Sequence, residues 1–225
     1  MIAIAHRGAS GYEPENTLAA FKKALELGVD MVELDVYVLE DGNVVVIHDK
    51  KVNRTTNGKG YVRNKTVNEL KQLDAGNGET IPTLQEVLDL VKRKAKVNIE
   101  LKGKGTAQPV SNILKEYIQK KGWNYTDFLV SSFDHNELRA FTQLLPQILI
   151  GVLIIGIFVQ FDKYKKMNAY SVHMWSKLVR KSLIEKAHKR GLKLFVYTVN
   201  NSNEIKKMKD LGVDGIFSNY PDKIS

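Results

Sequence analysis

Four clusters of polar side chains in this sequence each follow an apolar, strand-like run. The clusters are His6-Arg7, Glu33 with Asp35, His48-Asp49, and Glu100 with Lys102. Imidazoles, carboxylates and fixed positive charges together are the groups that metal-assisted cleavage of a phosphate ester requires. The chemistry is possible only if the fold brings clusters that are distant in sequence to one place.

The three carboxylates predict a divalent-metal site. Glu33 and Asp35 lie two residues apart on a predicted strand, so they share a face, and Glu100 ends another strand. Crowded carboxylates repel one another unless a cation neutralises them. Oxygen ligands favour Mg²⁺ or Ca²⁺ over zinc. The alternative, in which each carboxylate caps a helix or pairs with a lysine, is less attractive for three carboxylates at strand ends.

His6 and His48 are the candidate general acid and base, because imidazole both accepts and gives a proton near neutral pH. Displacement at phosphorus uses one such group on the attacking side and another on the leaving side. Arg7 offers a fork of donors to phosphate oxygens and Lys102 a point charge. Either cation is alternatively a structural ion-pair partner.

The other three histidines are weaker candidates for the site. His173 ends a predicted strand and is a candidate substrate contact. We expect His135 in the first turn of a helix capped by Asp134, and His188 in a basic helix, exposed to solvent.

Strand-like and helical patterns alternate along the chain. Branched apolar runs occur at 2–6, 31–36, 44–48, 97–101, 128–132, 148–154, 169–173, 193–199 and 214–218. Thr66 and Thr83 begin capping-box sequences, and Gly28, Gly191 and Gly212 each stand between a helical pattern and a strand. Such alternation predicts a parallel sheet closed into a TIM (β/α)8 barrel. An open doubly wound sheet is the alternative, but its glycine-rich phosphate loop is missing.

Composition limits the possible partners and compartments. A length of 225 residues without a Pro/Gly/Ser-rich divider favours one domain, 1–225, and the absence of cysteine excludes disulfides and thiolate chemistry. The net charge of +9 favours anionic partners, but its lysines are scattered near predicted helix ends. No nucleic-acid-binding motif is present, so we expect no nucleic-acid partner.

No signal-peptide pattern precedes the first cluster, so we expect a cytoplasmic protein without an integral membrane segment. The longest apolar run, 148–159, is shorter than the roughly 20 residues needed to span a bilayer. It predicts a buried strand followed by an apolar loop. A weaker hypothesis is that Phe158 and its neighbours touch lipid-like substrates at the mouth of a pocket.

An ordered series of motifs resembles the glycerophosphodiester phosphodiesterases over nearly the whole chain. The motifs are His6-Arg7-Gly8, Pro14-Glu15-Asn16-Thr17, Glu33-Leu34-Asp35, His48-Asp49, Ile81-Pro82-Thr83-Leu84, Glu100-Leu101-Lys102, Thr198-Val199-Asn200 and Gly212-Val213-Asp214-Gly215. The resemblance implies a TIM-type barrel that uses a divalent metal to hydrolyse glycerophosphodiesters to sn-glycerol 3-phosphate and an alcohol. It also implies roles for residues already singled out: metal ligands Glu33, Asp35 and Glu100, acid–base pair His6 and His48, and phosphate-binding Arg7 and Lys102.

The resemblance extends to residues around the site. Glu15 and Asn16 match an early loop that shapes it, and a segment at about 49–81 matches a small insertion beside the mouth. Tyr197 stands where many members have tryptophan, and Ser218-Asn219 replaces a more common Thr-Asp. These departures concern the alcohol side of the substrate.

Three alternatives to this function remain open at the level of sequence. A related barrel could act on lysophospholipids as a lysophospholipase D, or on phosphoinositide head groups. A non-catalytic barrel that binds phosphate esters is the third, although a binding module has no need for both histidines. The nucleophile is either water or the glycerol 2-hydroxyl. Neither the head group nor the oligomeric state is predicted.

Overall fold

A computed structural model describes residues 1–224 of the chain, and eight parallel strands form a closed barrel in it. The barrel strands are β1 (Ile2–Ala5), β2 (Met31–Val38), β4 (Lys96–Leu101), β5 (Phe128–Ser132), β6 (Leu149–Leu153), β7 (Ser171–Trp175), β8 (Lys193–Tyr197) and β9 (Gly215–Ser218). Strand β1 closes the barrel because it pairs with β2 on one side, Ile4 opposite Met31, and with β9 on the other, Ala5 opposite Ser218. The predicted TIM barrel is confirmed.

Helices cover the outside of the barrel, apart from those in the segment at 49–81, which packs on the β2–β3 hairpin. The helices are α1 (Leu18–Glu26), α2 (Val67–Lys71), α3 (Leu84–Val91), α4 (Ala107–Lys120), α5 (His135–Leu144), α6 (Phe161–Lys166), α7 (Lys181–His188) and α8 (Ser202–Leu211), with short 3₁₀ helices at Val52–Arg54, Val62–Asn64, Tyr125–Asp127, Ser176–Leu178 and Pro221–Ile224. Both capping boxes are present, since Thr66 and Thr83 accept from the backbone N–H three residues on. Asp134 caps α5 as predicted, with His135 in its first turn.

Two strand predictions need correction. The run at 44–48 yields only β3 (Val44–Val46), which pairs antiparallel with β2 as a hairpin and is not a barrel strand. His48 therefore lies on the segment after a hairpin rather than at the end of a barrel strand. The run at 169–173 is displaced to Ser171–Trp175, because β8 offers backbone partners as far as Tyr197, which lies opposite Trp175.

Apolar side chains pack in two layers around the strands. The larger layer fills the space between barrel and helices, and a smaller cluster inside the barrel contains Ile4, Met31, Leu129, Phe195 and Phe217. Side chains alternate between the two faces of a strand, so residues two and four positions beyond these inner residues also point inward. That alternation directs the polar strand-end residues toward the axis of the barrel.

The segment at 49–81 packs on the β2–β3 hairpin around a third apolar cluster, which includes Val45, Val52 and Leu70. It carries two of the 3₁₀ helices and α2. Within residues 1–224, none of the helices combines the length and the apolar character that crossing a membrane requires.

Candidate active site at the mouth of the barrel

The carboxyl ends of the barrel strands surround a cavity of about 220 Å³. Its lining includes candidates predicted from sequence, namely His6, Arg7, Glu33, His48, Glu100, Lys102, His173 and Tyr197. Thr198, named above as part of a motif, also lines it, as do four polar or aromatic residues that the sequence did not indicate, namely Asn98, Ser131, Phe133 and Phe217. Asn98 and Ser131 lie on strands two positions before Glu100 and Phe133, so strand alternation alone could have indicated them.

Glu33, Asp35 and Glu100 lie side by side on β2 and β4, as their spacing predicts. All three are buried, and one oxygen of each lies within 4.8 Å of the oxygens of the other two. Parallel pairing of the two strands sets Asp35 directly opposite Glu100. The three carboxylates could therefore share one cation.

The charge state of this trio shows why a cation suits it. Burial, followed by the negative charge of Asp35, raises the pKa of Glu100 to about 7. The pKa of Glu33 is also raised, by burial and then by Asp35 and Glu100. Burial would raise the pKa of Asp35 too, but Lys102, Arg7, His48 and the hydrogen bond from Asn16 together bring that pKa below its usual value. The site thus holds more negative charge than its two cations stabilise.

Arg7 and Lys102 contact the trio directly. The Lys102 Nζ lies 2.7 Å from Glu100 Oε1 and 3.4 Å from Asp35 Oδ1. The Arg7 Nε lies 3.4 Å from Asp35 Oδ2, and the Arg7 backbone N–H donates to Glu33 Oε2 over 2.8 Å. Both cations are therefore ion-pair partners of the carboxylates, as the alternative to phosphate binding predicts. Both also line the cavity, where a phosphate group could reach them.

Glu15 and Asn16 hold these groups in place from the loop after β1. Asn16 Nδ2 donates to Asp35 Oδ2 over 2.9 Å, and Arg7 Nη1 donates to Glu15 Oε1 over 2.8 Å. Arg7 and Asn16 have positive φ angles of 56° and 59°, so the loop turns sharply around the carboxylates. The two residues matched to a site-shaping loop are therefore in contact with site residues.

The two histidines each use Nδ1 for a structural hydrogen bond. His6 Nδ1 lies 2.8 Å from Asn219 Oδ1, and His48 Nδ1 lies 2.6 Å from Asp49 Oδ1. The Nε2 atoms are free of such bonds in the described part of the chain. Burial and then Arg7 lower the pKa of His6 to about 4. Burial also lowers the pKa of His48, against the opposing effect of Asp35.

Arg54 is a site neighbour whose position could not be read from the sequence. Its guanidinium forms two bonds with Asp49, of 2.7 and 3.1 Å, and two with Glu15, of 2.8 Å each. It therefore ties the segment at 49–81 to the β1 loop across the mouth. Asn219, which directly follows β9, is a second such neighbour, because its contact with His6 could not be read from the motif in which it stands.

His173, a candidate substrate contact in the sequence, lies at the inner end of the cavity rather than at its mouth. Its ring is fully buried inside the barrel, where Nε2 contacts Ser171 Oγ at 2.8 Å and the ring stacks on Phe195. Desolvation lowers its pKa to about 3. Gly151 faces it from β6, and a Cβ there would lie 2.5 Å from the ring. His188 is exposed at the end of α7, as predicted, and its Nε2 lies 2.7 Å from Asp214 Oδ2 at the other end of the barrel.

Residues 6–223 match the model of the glycerophosphoryl diester phosphodiesterase family. The chain belongs to this family. A glycerophosphodiester phosphodiesterase of Caldanaerobacter subterraneus subsp. tengcongensis is 41% identical over 238 residues, which cover 99% of this chain and 96% of that protein. The family and the enzyme class predicted from the motifs are confirmed.

More distant relatives also match nearly the whole of this chain. The structure of an Oleispira antarctica phosphodiesterase in complex with the product sn-glycerol-3-phosphate superposes with a TM-score of 0.90 at 32% identity, covering 98% of this chain and 94% of that one. The human protein named lysophospholipase D GDPD1 is 26% identical over 265 residues, which cover 98% of this chain and 84% of that protein.

Proposed function

We propose that this enzyme hydrolyses glycerophosphodiesters to sn-glycerol 3-phosphate and an alcohol, with a divalent cation held by Glu33, Asp35 and Glu100. The observation that carries the proposal is the convergence of three buried carboxylates within 4.8 Å of one another, two of which, Glu33 and Glu100, line the same cavity as His6 and His48. The relatives support the substrate, since one is a glycerophosphodiester phosphodiesterase and another binds sn-glycerol-3-phosphate.

The donor set fits a hard cation, because all three ligands are carboxylate oxygens. Mg²⁺ and Ca²⁺ are the ions that such a set favours over zinc. When bound, the cation would neutralise the trio and stabilise negative charge on the phosphoryl oxygens. Lys102 and Arg7 lie at the same carboxylates and would bind the remaining phosphate oxygens.

The hydrogen bonds of the two histidines suggest different roles for them. The pKa of His6, about 4, keeps its Nε2 unprotonated at neutral pH, which suits a general base. Burial lowers the pKa of His48 overall, but the Asp49 carboxylate at 2.6 Å opposes this and favours the protonated imidazole, which is the form that a general acid needs. His6 would take the proton of the attacking hydroxyl as its oxygen bonds to phosphorus. His48 would give its Nε2 proton to the leaving alcohol oxygen as the P–O bond breaks.

An assay for sn-glycerol 3-phosphate release tests this function. Purified protein is stripped with EDTA, and release from glycerophosphocholine, glycerophosphoethanolamine and glycerophosphoinositol is measured with and without added Mg²⁺ or Ca²⁺. We expect no release in chelator and recovery with one of the two ions. Release that is indifferent to chelator would contradict the metal assignment. Phosphorus NMR of the products distinguishes water from the glycerol 2-hydroxyl as nucleophile, because only the latter passes through a cyclic phosphate.

Matched histidine variants test the acid–base pair. His6→Ala and His48→Ala should each lower kcat by about 10²- to 10⁴-fold if proton transfer is their role. His188→Ala is the control, since His188 pairs with Asp214 away from the cavity and should leave kcat unchanged. Near-normal turnover in either site variant would contradict its role.

A further inference from the structure

Large apolar side chains are exposed at one side of the barrel mouth. Phe133 follows β5, Ile155, Ile157 and Phe158 follow β6, and Trp175 ends β7, so five exposed residues come from three neighbouring strands. Ile155 is 87% and Phe158 92% exposed, values that a side chain reaches only when it projects from the surface. We call these five residues the apolar rim.

The apolar rim adjoins the cavity rather than a remote face of the barrel. Phe133 packs edge-to-face on Tyr197, with ring centroids 6.1 Å apart, and both residues line the cavity. The Tyr197 hydroxyl donates to the backbone oxygen of Ile154 over 2.9 Å, which fixes the base of the β6 loop. Large exposed apolar side chains gathered beside a cavity are typical of an interaction site.

Positive charge flanks the apolar rim: Lys163 lines one surface cavity with Ile157 and Phe158, and Lys177, Arg180 and Lys181 follow β7 at the same end of the barrel. Between residues 154 and 181 the basic side chains are Lys163, Lys165, Lys166, Lys177, Arg180 and Lys181, all exposed, whereas the acidic side chain is Asp162. Asp162 is already neutralised by Arg190, which holds it at 2.8 and 3.0 Å. The six basic side chains are thus opposed by no free carboxylate in this stretch.

We infer that the apolar rim docks this enzyme on an anionic phospholipid surface, with the cavity mouth facing the membrane. Apolar tips bordered by lysine and arginine suit the interface of such a membrane, since the tips enter the acyl boundary while the cations meet lipid phosphates. The same charge disfavours a second copy of this chain as occupant, because two rims would bring like charges together. Docking is independent of the catalytic steps and goes beyond the proposed function.

The chain carries its own reporter of docking. It has two tryptophans, of which Trp175 is 47% exposed on the rim and Trp123 is 4% exposed and stacked on Phe128. The full-length protein is mixed with phosphatidylglycerol vesicles or with phosphatidylcholine vesicles, and the bound fraction is measured by sedimentation. We expect binding to phosphatidylglycerol, a blue shift of Trp175 emission, and weakening by 1 M salt, where the Debye length falls to about 3 Å.

A pair of matched variants tests the rim. The double variant Ile155→Ser with Phe158→Ser should lower the partition coefficient on phosphatidylglycerol by at least about tenfold, because it removes two side chains that would be buried. Tyr125→Ser is the control, since Tyr125 is also exposed but precedes β5 at the opposite end of the barrel. It should bind as the wild type does.

Several outcomes would overturn the inference. They are equal partition on phosphatidylglycerol and phosphatidylcholine, no partition on either, unchanged binding of the double variant, and a dimer seen by sedimentation velocity that the double variant loses. The last outcome would assign the rim to a second copy. Release of sn-glycerol 3-phosphate from soluble glycerophosphocholine is measured in parallel without vesicles. Vesicle binding without this activity would contradict the proposed function alone, and the activity without vesicle binding would contradict docking alone.

Discussion

The hydrogen bond between His48 and Asp49 makes the sharpest test of the catalytic proposal. Replacing Asp49 by asparagine keeps the shape of the side chain but removes its charge. The Nδ1–Oδ1 distance is 2.6 Å, and a hydrogen bond to a charged partner contributes roughly 1.5–3 kcal/mol. At about 1.4 kcal/mol per factor of ten, this corresponds to roughly 10- to 100-fold in kcat.

Exposure to solvent reduces the expected loss of kcat. The side chains of His48 and Asp49 are 29% and 30% exposed, so water screens the charge and the lower part of the range, about 10- to 30-fold, is expected. The assay is release of sn-glycerol 3-phosphate from glycerophosphocholine as a function of pH. Since the carboxylate favours the protonated imidazole, its loss lowers the pKa of His48. A general acid must be protonated, so the alkaline limb of the kcat profile should move to lower pH.

Arg54→Ala is the control for Asp49→Asn. It removes the other partner of Asp49 but leaves the carboxylate beside His48, and Arg54 is 47% exposed, so kcat should fall at most about fivefold. A loss below twofold in Asp49→Asn, or an alkaline limb that stays in place, would refute the assignment of His48 as the acid. A loss in Arg54→Ala as large as in Asp49→Asn would show that the loop contacts matter and the charge does not.

Two further predictions concern stability. The first concerns the metal-free protein in chelator, where the pKa of Glu100 is raised to about 7. The stability that the protonated Glu100 contributes is lost as pH rises from 4.5 through 7. The Tm should therefore fall from pH 5 to pH 8 by more in wild type than in Glu100→Gln. Added Mg²⁺ should raise Tm in wild type and not in the variant; parallel behaviour of the two in scanning calorimetry would contradict this. For His173, whose pKa is lowered from 6.5 to about 3, stability falls as pH drops below 6.5, by about 2 kcal/mol at pH 5. In urea titrations the stability difference between wild type and His173→Gln should shrink by that amount from pH 7 to pH 5, and a constant difference would contradict it.

Local patterns in the sequence determined the barrel and the composition of its site. Alternating strands and helices with glycine at Gly28 and Gly212 indicated the (β/α)8 fold, because a helix between two successive strands returns the chain to the same end of the sheet and so allows them to pair in parallel. The two-residue spacing of Glu33 and Asp35 placed both on one face, and the ordered motifs indicated the family. These features follow from the backbone period, which a sequence displays directly.

Long-range pairing was decided by the tertiary structure. Closure of β1 against β9 brings Asn219 to His6 across 213 positions of sequence, and Arg54 bridges Glu15 and Asp49 across 39 and 5 positions. The apolar pattern at 44–48 could not show that β3 runs antiparallel to β2, since both orientations of a short buried strand have the same periodicity. The periodicity of a sequence predicts which way a side chain points. The residue that this side chain contacts depends on which distant segment of backbone lies opposite, and only the closed barrel determines that.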